Sequence, residues 1–101
     1  MKLRPPDRVK IGPHRYGVVF EERKFRNYAD DCYLLGEIDY QQGTIRLAPS
    51  PPGHQFETFI HECLHGMDNV AETDLGEERV ARLANVLAAF LIDNGYVKEP
   101  K

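Results

Sequence analysis

The chain has 101 residues, of which 42% are hydrophobic and 29% charged, and its formal net charge is −3. That is ordinary globular composition at the length of one small domain, spanning 1–101, which excludes a disordered chain and gives no basic excess to suggest nucleic acid as the main partner. No apolar run is long enough for a membrane span, and Met1 to Arg8 holds two prolines and no apolar stretch of an export signal. The expectation is a cytoplasmic protein with no membrane partner, in which Cys32 and Cys63 are reduced thiols.

Residues 8–48 read mostly as strands. Val9-Lys10-Ile11 alternates, Gly12-Pro13-His14 has turn chemistry, and Arg15 to Phe20 places Tyr16, Val18 and Phe20 on one face, so the first 20 residues predict a hairpin. Glu21 to Asp31 is charged and weakly patterned, and both a loop and a short helical turn fit it. Its basic residues Arg23, Lys24 and Arg26 are interspersed with Glu21, Glu22, Asp30 and Asp31, the pattern of a solvated face. Tyr33 to Tyr40 is strand-like, with Leu35 as its apolar centre and Gly36 as a bulge position. After the turn Gln41-Gln42-Gly43, the strand Thr44 to Ala48 completes a second hairpin.

Pro49-Ser50-Pro51-Pro52-Gly53 ends the sheet region. A helix is predicted over 54–69, with Phe56, Ile60, Cys63, Leu64 and Met67 as its apolar stripe. A second is predicted over 75–94 from the period of Val80, Leu83, Ala84, Leu87, Phe90 and Leu91. Gly95 is its left-handed stop, Tyr96 and Val97 fold back on the core, and Lys98 to Lys101 fray. The fold class is α+β: a small antiparallel sheet of four strands, as two hairpins, packed on two helices.

The first helix carries His61-Glu62-Cys63-Leu64-His65. Histidines four apart share a helix face and can hold one metal ion from one side, with Glu62 placed to reach water on that metal; this is the H-E-x-x-H pattern of zinc peptidases. The histidines, with Glu57, Thr58 and Asp68 near them, lie off the apolar stripe, which separates metal face from core face. Cys63 falls on the core side. A structural site would fill its fourth position with Cys or His and has no use for a free Glu62.

A catalytic zinc needs a third protein ligand. Glu77 and Glu78 open the second helix. On a wheel Glu77 lies roughly 70° from the centre of the apolar stripe while Glu78 lies roughly opposite it, so Glu77 is preferred, then Glu78, then Asp74. A competing reading makes Asp74 the N-cap and Glu77 its capping-box partner. The oxyanion donor is open among His54, Tyr33, Tyr40 and Tyr96, and His14 is a turn residue. The chemistry these residues predict is peptide hydrolysis with Zn2+ as cofactor and Glu62 as general base on zinc-bound water. The strand Thr44 to Ala48 is expected at a sheet edge, where an extended peptide could pair with it.

The order of hairpin, Gly36-Glu37-Ile38-Asp39, the Ile- and Leu-bearing strand Thr44 to Ala48, motif helix and Glu-starting helix resembles the minimal gluzincin-type metallopeptidases of phages and mobile elements, related to the ImmA/IrrE type. The resemblance runs from about Val9 to Asn94. It implies a zincin-like domain that cleaves a cytosolic protein or peptide substrate, often a regulator. The alternative from another class is a zinc-binding, non-catalytic protein-interaction module; a metal-free structural domain is a third.

Overall fold

The computed structural model describes residues 1–26 and 32–98. In chain order it holds strands β1 (Arg8–Ile11), β2 (His14–Phe20), β3 (Phe25–Arg26), β4 (Tyr33–Leu34), β5 (Gly36–Asp39) and β6 (Thr44–Leu47), then helices α1 (Pro52–Ala71) and α2 (Gly76–Asp93). The fold is α+β, with one four-stranded sheet, a two-stranded ribbon and two helices.

Both predicted hairpins form. β1 pairs antiparallel with β2 and β5 antiparallel with β6, each around a turn glycine with positive φ, Gly12 at 57° and Gly43 at 66°. The sheet is nevertheless mixed, not antiparallel throughout. Its order is β1-β2-β6-β5, and β2 and β6 run parallel, Gly17 opposite Thr44 through Phe20 opposite Leu47. Tight turns specify which neighbours in sequence pair, but a parallel join needs a long crossover, and residues 21–43 supply one. This corrects the expectation for Thr44 to Ala48: β6 lies inside the sheet, and β1 and β5 are its edges.

The undecided stretch after Phe20 contains β3, which pairs with β4 as a separate ribbon, while residues 27–31 lie outside the described residues. Leu35 is not a strand centre. It separates β4 from β5 and is 63% exposed.

α1 begins two residues earlier than predicted, with Pro52 at its first position, where a missing N–H is harmless. Phe56, Ile60 and Cys63 are buried as the stripe requires, but so is Phe59, while Met67 is about half exposed. The buried arc is wider than one stripe because α1 packs on β1, β5 and β6 and also on α2. Gly66 permits the close approach: a Cβ there would lie 2.9 Å from Ile11 Cδ1.

α2 buries a narrow line of Val80, Ala84 and Ala88 and leaves Leu83 and Phe90 exposed. Its end forms a Schellman pattern: Gly95, at φ 77°, donates to the Ile92 carbonyl at 3.1 Å and Tyr96 to that of Leu91 at 2.9 Å. Val97 folds back into the core, and Tyr96 stacks on Phe90. Of the end expected to fray, Lys98 is held, and residues 99–101 lie outside the described residues. The Lys98 N–H donates to the Met1 carbonyl at 2.9 Å, and Leu3 N–H donates to the Lys98 carbonyl at 3.0 Å.

Candidate metal centre

The site lies in the cleft between α1 and the segment from β4 to β5. Gly36 touches α1 at Thr58 and Glu62, Ile38 lies near Gly66, and the Tyr40 hydroxyl donates to the His65 carbonyl at 3.2 Å. β5 therefore runs alongside α1 in the same direction. Gly36 makes that approach possible, because a Cβ there would come within 2.6 Å of Thr58 Cγ2 and 3.3 Å of Glu62 Cγ.

His61 and His65 project from successive turns of α1, and their Nε2 atoms stand 3.1 Å apart. Glu77, from the first turn of α2, spans the pair: Oε1 is 2.8 Å from His61 Nε2 and Oε2 is 2.6 Å from His65 Nε2. The ligand atoms of the three residues all lie within 4.8 Å of one another. Two imidazole nitrogens and a carboxylate, brought from two elements and facing one point, form a donor set that suits zinc.

The other acids offered as third ligand go elsewhere. Glu78 pairs with Arg82 at 2.6 Å, and Asp74 sits in the connector at φ 52°. The capping box does not form either: Leu75 occupies the N-cap position in helical conformation, and no side chain caps α2. Asp68 closes the connector instead, accepting from the Thr73 hydroxyl and, at 3.1 Å, from the Leu75 N–H, and these bonds hold its carboxyl below the usual range. Glu77 is thus released from capping.

Glu62 is 7% exposed and is the one buried charged side chain among the described residues. Burial pushes its pKa up to about 7, with smaller contributions from the charges of Glu77 and Glu37. Its neighbour Cys63 is also buried, which pushes the thiol up to about 12 and keeps it protonated and inert.

The cleft is a groove of about 340 Å³ on the side toward the start of α1, lined by Tyr33, Leu35, His54, Glu57 and Glu62 among others. Tyr40 lines the opposite flank with Glu37 and His65. Of the four possible oxyanion donors, Tyr33, His54 and Tyr40 border the site, whereas Tyr96 is stacked on Phe90 and lines neither flank. Sequence reading made Leu35 a strand centre and Gly36 a bulge position, and gave neither a place at the site. The glycine's position at the start of a strand was the available signal; for Leu35 there was none.

No family model, curated protein or solved structure matches the chain. Among the described residues no helix is long and apolar enough to cross a membrane.

Proposed function

We propose that the chain is a zinc-dependent metallopeptidase of the gluzincin type, related to the ImmA/IrrE proteins, which hydrolyses peptide bonds in a cytosolic protein or peptide substrate. The observation that carries this reading is the meeting of His61, His65 and Glu77 beside the buried Glu62.

Zinc held by those three residues would supply Lewis acidity toward the scissile carbonyl and toward water. The remaining work belongs to the protein. The fold of α1 onto the sheet fixes the two imidazoles, and α2 delivers the carboxylate. Glu62 is held where its carboxyl exchanges a proton near neutral pH, which suits a base that accepts a proton from water and returns it to the leaving amine. Tyr33 and His54, in the same groove, are placed to donate to the developing oxyanion. β5, an edge strand beside the cleft, offers main-chain groups to an extended peptide.

Metal analysis and four variants test the proposal. The purified protein should hold one zinc per chain, and His61→Ala should lose it. Glu77→Gln should weaken zinc binding far more than Glu78→Gln. Glu62→Gln should keep zinc and lose hydrolysis of any peptide the parent cleaves. A parent that holds zinc but cleaves nothing in a broad peptide library would instead be a zinc-binding interaction module.

A further inference from the structure

We infer that the groove beside Glu62 is a pocket for a lysine or arginine side chain of the substrate, and that Glu57 selects it; the inference rests on the peptidase reading above. Glu57 lies one helical turn before His61 on the cleft face of α1 and lines the groove. Its Oε1 accepts from Asn85 Nδ2 of α2 at 2.9 Å, which fixes the carboxylate. Among the described residues no lysine or arginine pairs with it.

The facing wall is apolar. Tyr33 and Leu35 line the groove and are 56% and 63% exposed, so their apolar surface is open to a ligand. A long side chain with a hydrocarbon stem and a cationic tip matches this arrangement, the stem along Leu35 and Tyr33 and the tip at Glu57. The groove, about 340 Å³, has room for such a side chain.

The surrounding charges keep this polarity. Glu62 and Glu77 also line the groove, but the peptidase reading commits them to the base role and the metal, so Glu57 is the carboxylate left to meet a substrate cation. The nearby cations are already engaged. Arg26 lies 4.8 Å from the Tyr33 ring centroid and donates to the Tyr33 hydroxyl at 3.0 Å, Lys24 lies over the same ring, and Arg46 is bound to Glu21 and Glu37.

Equilibrium binding of three blocked, dye-labelled alanine pentapeptides to the full chain tests the assignment, with arginine, norleucine or glutamate at the centre. The arginine peptide should bind about fivefold tighter than the norleucine peptide, which has the stem without the charge. Glu57→Gln should erase that difference while leaving norleucine binding unchanged, and Glu57→Lys should favour the glutamate peptide. Equal binding of arginine and norleucine peptides by the parent, a preference that survives Glu57→Gln, or no binding of any of them would overturn the inference. Cleavage followed in the same samples separates the two proposals. Selective binding keeps the pocket even where these peptides are not cleaved, and cleavage without selectivity keeps the peptidase and rejects the pocket.

Discussion

The two helices contribute to one site in opposite ways. α1 is enclosed, with the sheet on one side and α2 on another, and its His61 and His65 side chains are only 20% and 22% exposed. α2 touches the rest of the molecule mainly through Val80, Ala84 and Ala88, and its Glu77 side chain is 71% exposed. The imidazoles are thus set on the enclosed helix, while the carboxylate arrives from the exposed first turn of α2, whose middle is anchored in the core. A metal held by all three would tie the exposed start of α2 to α1, so binding it should stabilise the helix pair as well as the site.

Four measurements bear on this contrast. The largest effect is expected from Phe56→Ala on the enclosed side of α1. Phe56 is fully buried, and the cavity should cost about 3–5 kcal/mol in denaturant unfolding, most of the stability of a small domain. A loss under 1 kcal/mol would mean that α1 is not the enclosed helix.

The second effect is electrostatic. The folded-state pKa of Glu62 is raised to about 7 from an ordinary value of 4.5. Between those values the folded protein holds a proton that the unfolded chain has released, so stability falls as pH rises. The contribution is complete below the unfolded pKa and lost as pH passes through 7. For the metal-free protein the full span is about 3 kcal/mol, and Glu62→Gln should remove that part of the slope between pH 4.5 and 8. Parallel pH profiles for parent and variant would reject the burial argument.

Gly36→Ala comes third. Its new methyl group would press on Thr58 Cγ2 and force β5 away from α1, at about 1–3 kcal/mol. Thr58→Ser removes the opposing methyl but keeps the hydroxyl that donates to the His54 carbonyl, so the double variant should recover most of the loss. Smallest is Val86→Ser on the outer face of α2, 66% exposed, which should stay within about 0.5 kcal/mol in thermal or denaturant unfolding.

The same contrast separates what was legible in the sequence from what was not. Alternation and turn glycines were enough for both hairpins, and helical period was enough for both helices. The wheel separated Glu77 from Glu78 because that choice depends only on position within one helix. The parallel join of β2 to β6 was not legible, since no local pattern records which distant strands meet. Phe59 was passed over because a single stripe was assumed where α1 packs on two sides. Leu83 and Phe90 were placed in the core because period marks the larger residues, whereas α2 approaches α1 through the small Ala84 and Ala88. Asp74 looked like a cap from its spacing, but no side chain caps α2, and Asp68, six residues earlier, bonds the connector instead.

Arg46 fastens one wall of the cleft. From β6 it bonds Glu21 at 2.9 Å, reaches Glu37 of the edge strand at 3.5 Å and lies 4.1 Å from the centre of the Phe25 ring in the ribbon. The ribbon that carries Tyr33 and Leu34 to the groove is therefore moored partly by charge, whereas the helices below it are held by oil-like burial. Dissolved ions screen the first kind of attachment and scarcely touch the second. Raised ionic strength should therefore loosen the Arg46 pairs while the histidine pair stays where the core has set it.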